Sequence, residues 1–82
     1  MKISYATHAD VLYIVFEETT NKCVYSEVES GVICRIDETT DRVVGITIPY
    51  FRRRAEKNET FSIPELAEGI SAERLLEMLE EG

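Results

Sequence analysis

His8-Ala9-Asp10-Val11-Leu12-Tyr13-Ile14-Val15-Phe16 is the stretch on which the fold turns: a short polar turn followed by six consecutive apolar residues. The run is too short for a helix and rich in β-branched and aromatic residues, so it reads as a buried strand. About thirty residues later, Asp41-Arg42-Val43-Val44-Gly45-Ile46-Thr47-Ile48 repeats the pattern. Two such strands imply a small antiparallel sheet.

Working outward, Lys2–Tyr5 reads as a first strand, 11–17 as the second, 22–28 and 32–37 as the third and fourth, and the run closed by Pro49 as the fifth. Thr19-Thr20-Asn21 fits a three-residue hairpin loop, because Asn tolerates the left-handed conformation. A three-residue loop at Glu29-Ser30-Gly31 pairs Val28 with Val32, Ser26 with Cys34 and Val24 with Ile36, and puts Gly31 where positive φ is required. The same reasoning pairs Ile36 with Val44 and Cys34 with Ile46 across a loop at Glu38 to Arg42. It pairs Phe16 with Val24 and Leu12 with Val28.

One sheet face then carries Leu12, Ile14, Phe16, Val24, Val28, Val32, Cys34, Ile36, Val44, Ile46 and Ile48, broken only by Ser26. Independent registers converging on one apolar face is the agreement expected of a real fold. No acid lies on that face.

After Pro49 the chain turns polar. Residues 51–61 read as a basic connector, and Ser62-Ile63-Pro64-Glu65 has capping-box spacing for a short helical turn ended by Gly69. Ser71 caps a final helix over about 72–80, with Ile70 as staple and Leu75, Leu76, Met78 and Leu79 as its apolar stripe. Glu80 and Glu81 oppose the dipole, so its end should fray. The fold class is α+β: a five-strand antiparallel meander sheet, a short helical turn and a C-terminal helix, as one domain (1–50 sheet, 51–61 connector, 62–82 helical).

Eighty-two residues, 44% of them hydrophobic, form one small domain. A chain of this size buries only about 60% of its unfolded surface, so a second copy or a partner adds real stability. The net charge of −7 argues against a general nucleic-acid binder. No signal peptide or membrane span is apparent, so the expected location is cytoplasmic, with Cys23 and Cys34 reduced. Cys23 faces away from the core and Cys34 into it, which forbids a bridge.

The segment Ile3 to Ile48 resembles the prokaryotic family called domain of unknown function 2283. The resemblance rests on Ile3 and Tyr5, Ala9-Asp10 with Leu12-Tyr13-Ile14, Gly31-Val32-Ile33, Asp37, and Val43-Val44-Gly45-Ile46 with Ile48. Ala6, Thr7 and His8 replace the family's usual Asp-Pro-Glu, and Thr47 stands where an acid is common. The resemblance implies a small sheet domain with no established activity, and loosely an antitoxin or partner-binding role.

His8 and Asp10 share one turn and offer a ligand or metal two donors, fewer than a metal needs; an Asx-type turn is the plainer reading. Arg52-Arg53-Arg54 with Lys57 forms one basic cluster, able to meet a phosphate or an acidic peptide or to pair with the protein's own glutamates. Glu73, Glu77, Glu80 and Glu81 read as a solvated helix face. The second sheet face carries Val11, Tyr13, Val15, Tyr25 and Ile33 among Cys23, Glu27, Arg35, Asp37 and Thr47, too apolar for a face left wholly to water. Tyr13, Val15, Tyr25 and Ile33 are therefore the candidate interface for a homodimer or a protein partner. The expected function is a non-catalytic interaction module with no cofactor and no metal. The alternatives are an antitoxin-like neutraliser of a small basic toxin, and a ligand-binding or hydrolytic domain using His8 and Asp10.

Overall fold

The computed structural model describes residues 1–28 and 31–81. Strands β1 (Lys2–Ala6), β2 (Val11–Val15), β3 (Cys23–Val28), β4 (Val32–Asp37) and β5 (Val43–Pro49) form one antiparallel sheet, followed by helix α1 (Phe51–Glu56), strands β6 (Thr60–Ile63) and β7 (Ala67–Ser71), and helix α2 (Ala72–Glu81). The class is α+β, as the apolar runs require. The strand order is not that of a meander. It is β1-β2-β5-β4-β3, so β5 lies between β2 and β4, and β3 is an edge strand. Strands β5, β4 and β3 are joined by consecutive hairpins, with β2 returned beside β5, which is Greek-key connectivity.

The crossover explains the difference. Thr19 to Asn21 does not close a hairpin; the chain from Phe16 to Lys22 crosses the ends of β5 and β4. Three inter-strand steps span about 14 Å, within reach of an extended seven-residue segment. Phe16 and Glu17 N–H both donate to Val44 C=O, and Glu17 pairs with Arg42 at 3.0 Å. The path is then tied to Asp37, at the end of β4. Its carboxylate accepts the Thr19 hydroxyl and the Asn21 amide, each at 3.0 Å, and the Thr39 and Thr40 backbone N–H at 2.8 and 3.2 Å. The pairing of β2 with β3, Phe16 with Val24 and Leu12 with Val28, therefore does not form.

The β3–β4 register is as expected, with Val28 opposite Val32, Ser26 opposite Cys34 and Val24 opposite Ile36. Gly31 has φ 74°, while the loop residues Glu29 and Ser30 lie outside the described residues. Cys34 pairs with Ile46, but a bulge at Arg35/Ile36 sets Ile36 opposite Val43 rather than Val44. Leu12, Ile14, Val32, Cys34, Val44, Ile46 and Ile48 are buried. Phe16, Val28 and Ile36 are half-buried, and Val24 is exposed because an edge strand has a neighbour on one side only.

The segment after Pro49 also differs. Residues 51–56 are helical rather than a connector, and 60–71 form a hairpin rather than a helical turn. Phe61 and Ile63 alternate with more open Thr60 and Ser62, the two-residue period of a strand with one face buried. Pro64 and Glu65 make the turn, closed by Leu66 N–H to Ile63 C=O at 3.1 Å. Helix α2 begins where expected, with Ser71 Oγ accepting the Arg74 N–H at 3.1 Å. It runs through Glu81, and the Arg74 guanidinium lies 3.4 Å from both Glu77 and Glu81. Phe51, Phe61, Ile63, Ala72 and Leu75 complete one core with the inner sheet face.

Candidate functional site

The covering elements all close over one face of the sheet, leaving the other as the surface to be read. Strand registers arrange that outer face in rows. One row runs Ser4, Tyr13, Thr47, Ile33, Glu27, and the next Lys2, Val15, Gly45, Arg35, Tyr25. Tyr13 and Tyr25 are 40% and 69% exposed, and Val15 and Ile33 are half-buried. All four candidate interface residues thus share one face. They fall in two groups, Tyr13 and Val15 on β2 and Ile33 and Tyr25 on β4 and β3, with β5 between them.

That separation creates a groove. Gly45, at the centre of the row, lets the Arg35 side chain lie across β5: a Cβ at Gly45 would stand 3.7 Å from Arg35 Cβ and 3.2 Å from Ile14 C=O. The result is a cleft of about 280 Å³ lined by Tyr13, Val15, Tyr25, Arg35, Gly45 and Thr47, among others. Arg35 Nε is buried without a hydrogen-bond partner. The groove is a phenol-walled apolar trough with a cation in its floor, suited to side chains carrying both apolar area and an acceptor.

The turn at His8 is organised structurally. Asp10 adopts φ 56°, and its carboxylate accepts the Tyr5 hydroxyl and the Arg52 backbone N–H, both at 2.7 Å. Its carbonyl accepts the Phe51 N–H at 3.0 Å. Tyr50, at the N-cap of α1, has φ 57° and no capping side chain, so Asp10 caps that helix from forty residues away. The Tyr5 hydroxyl, and then the Arg52 N–H, hold the Asp10 carboxyl below its ordinary pKa; the same bond raises that of Tyr5. His8 is exposed beside this arrangement. Among the described residues no group of three or more His, Cys, Asp or Glu side chains is placed to hold a metal ion.

The basic cluster is divided: Arg53, Arg54 and Lys57 line one hollow, and Arg52 is not part of its lining. Arg54 is 8% exposed, paired through Nε with Glu59 at 3.0 Å and stacked 4.7 Å from the Phe61 ring. Arg53 lies over Tyr50 at 5.8 Å, while Arg52 and Lys57 are exposed. The hollow is about 450 Å³ and is shared with Glu27, Gly31, Tyr50 and Glu59. Arg54 is thus a core-edge residue balanced by an acid of its own chain.

Asp37 is the residue whose burial sequence reasoning missed. Its pairing with Cys23 keeps it on the outer-face side of β4, as assigned, but the crossover covers it and it is 1% exposed. Its donors, first the Asn21 amide and then the Thr39 and Thr40 N–H groups, keep its carboxyl below the usual range. The signal lay in Asp37-Glu38-Thr39-Thr40, where an Asp precedes residues whose N–H groups its side chain can accept. Cys23 and Cys34 are both free thiols, Cys34 buried and its pKa pushed up by that burial.

No helix of the described residues is long and apolar enough to cross a membrane. A family model described as protein of unknown function, DUF2283, matches residues 2–52. That span takes in the whole five-stranded sheet and ends at Arg52, the residue whose N–H Asp10 binds. Neither the curated proteins nor the solved structures give a match.

Proposed function

The chain belongs to the DUF2283 family of proteins of unknown function, and from that premise we propose that it is a non-catalytic protein-interaction module whose contact surface is the outer face of the sheet. The observation that carries the reading is the one-sided cover: α1, the β6–β7 hairpin and α2 build the core on the inner face, while Tyr13 and Tyr25 stand open across the Gly45 groove. Tyr side chains bring large contact area with few rotatable bonds and a polar tip, which favours them at protein interfaces.

A carboxyl group that does general acid–base work at neutral pH needs its pKa tuned upward. Asp10 and Asp37 are shifted the opposite way, by hydrogen bonds that serve the fold. That supports a binding role over a hydrolytic one. A cytoplasmic setting suits the two unpaired thiols.

Site-specific photo-crosslinking in the native host tests the reading. A benzophenone side chain replacing Tyr13 or Tyr25 is expected to trap a discrete protein adduct, and one replacing Leu76, exposed on α2, is not. No adduct at Tyr13, whatever Tyr25 traps, or adducts equally abundant at Leu76, would overturn it.

A further inference from the structure

Apart from its face, the sheet has an edge, and the edge has its own logic. We propose that β3 pairs antiparallel with β3 of a second copy of this chain, centred on Tyr25. The inference concerns the free edge and does not rest on the outer-face reading.

The hydrogen-bond phase of β3 follows from one contact. Glu38 N–H donates to Lys22 C=O at 3.0 Å, and the β3–β4 register sets these two residues opposite each other. Bonded pairs alternate in an antiparallel ladder, so Val24, Ser26 and Val28 exchange bonds with Ile36, Cys34 and Val32. Cys23, Tyr25 and Glu27 must then turn their N–H and C=O groups away from β4. The β4 backbone agrees, because Asp37 N–H donates to Arg42 C=O at 2.9 Å on its other side.

Apart from the single charge of Glu27, this edge lacks the usual protections. Within β3 there is no proline, no lysine and no bulge against β4, and four consecutive residues, Val24 to Glu27, are exposed. The opposite edge is different. Phe16 N–H to Val44 C=O sets the phase of β2, which leaves only Ile3 and Tyr5 of β1 facing outward. Both are half-buried, and α2 packs against that strand.

A second copy fits the β3 edge because the edge is self-complementary. With Tyr25 opposite its own image, Cys23 faces Glu27 and Glu27 faces Cys23. All three outward residues are then paired, each pair exchanging both bonds. Val24 meets Ser26 on the inner face, and the two Tyr25 rings lie side by side on the outer face, a favourable cross-strand pair. No like charges meet. A slip that opposed Glu27 to Glu27 would bring two carboxylates together and leave Cys23 unpaired. For a chain of net charge −7, a strand with one acid is a place where two copies can approach. The two-fold axis stands perpendicular to the sheet, so both Tyr13–Tyr25 grooves open on the same side.

Sedimentation equilibrium of the full chain is expected to give twice the 9.4 kDa chain mass, and Tyr25→Pro, which removes the central outward N–H, to return it to monomer with its circular dichroism unchanged. Tyr25→Cys and Glu27→Cys, each with Cys23→Ser, test the register independently of whether the proline variant folds. Cα atoms of a bonded pair are about 5.5 Å apart, within disulfide range, whereas Glu27 is about 13 Å along the strand from its image. Oxidation is expected to link Tyr25→Cys at least tenfold faster than Glu27→Cys. A wild-type chain that stays monomeric up to millimolar concentration, equal linkage of the two cysteine variants, or a folded Tyr25→Pro variant that still dimerises would overturn the proposal. Failure here leaves the Tyr13 crosslinking result untouched, so the two readings fall separately.

Discussion

Asp37 sits at a position where a hydrophobe would be the ordinary choice, and it joins the crossover, the end of β4 and the following loop through four donors. Its folded carboxyl binds a proton less readily than an unfolded one, chiefly because the Asn21 amide donates to the charged form. At acid pH the unfolded chain therefore takes up protons first. The stability from this group is present above the ordinary carboxylate value of about 3.9 and is lost as pH falls toward the lower folded value. Thermal midpoints measured across the acid limb should show a shallower pH dependence in Asp37→Asn than in wild type, together with a lower midpoint at neutral pH. An unchanged acid slope would separate the carboxylate from the crossover. Gly45 is a second single-residue constraint. A Cβ there would lie 3.2 Å from Ile14 C=O, and a branched side chain would also strike Arg35. Gly45→Val should cost about 1–3 kcal/mol by overpacking, read from urea unfolding, and should close the outer groove.

The elements differ in how visibly they are written. Strands β1 to β5 and α2 are legible because each carries an uninterrupted period: two in the apolar runs, and a helical stripe behind the Ser71 cap. The neighbour of β2 was not legible, since β5 outcompetes β3 through a buried carboxylate about twenty residues further along the chain. Helix α1 was hidden for a similar reason, as its cap is Asp10 and not a residue beside it. The β6–β7 hairpin was masked by local chemistry. Ser62, Pro64 and Glu65 imitate a helix start, yet Phe61 and Ile63 keep the period of a strand. Candidate interface residues were read correctly onto one face, but the groove between them depends on β5 and β4 lying in the middle. The hairpin turn offers its own test. Glu65 holds φ 71° at the position after Pro64, where a side chain is strained and Gly is preferred. Glu65→Gly should stabilise the protein by about 1 kcal/mol in chemical unfolding, because the relief of a left-handed residue outweighs the added freedom of the unfolded chain.

As a whole, the molecule is a sheet with one lid, and its stability depends on the lid more than the family match would imply. That match ends at Arg52, yet Phe61, Ile63, Ala72 and Leu75 lie beyond it and are 1%, 2%, 6% and 0% exposed against the inner face. Truncating a buried Leu to Ala costs about 2–5 kcal/mol and a buried Phe about 3–5 kcal/mol. A domain of this size has a total stability on the order of 5–15 kcal/mol. Phe61→Ala and Leu75→Ala should therefore each remove a large share of the folding free energy, and the double variant should unfold with little or no cooperative transition. Chain termination after Asn58 removes the same groups together and uncovers Leu12, Ile14, Val32, Ile46 and Ile48. The truncated chain should bind an apolar dye, lose amide dispersion in its NMR spectrum and aggregate. A truncated chain that kept a sharp thermal transition would mean that the five strands and α1 are a folding unit by themselves, with the hairpin and α2 as an accessory to it.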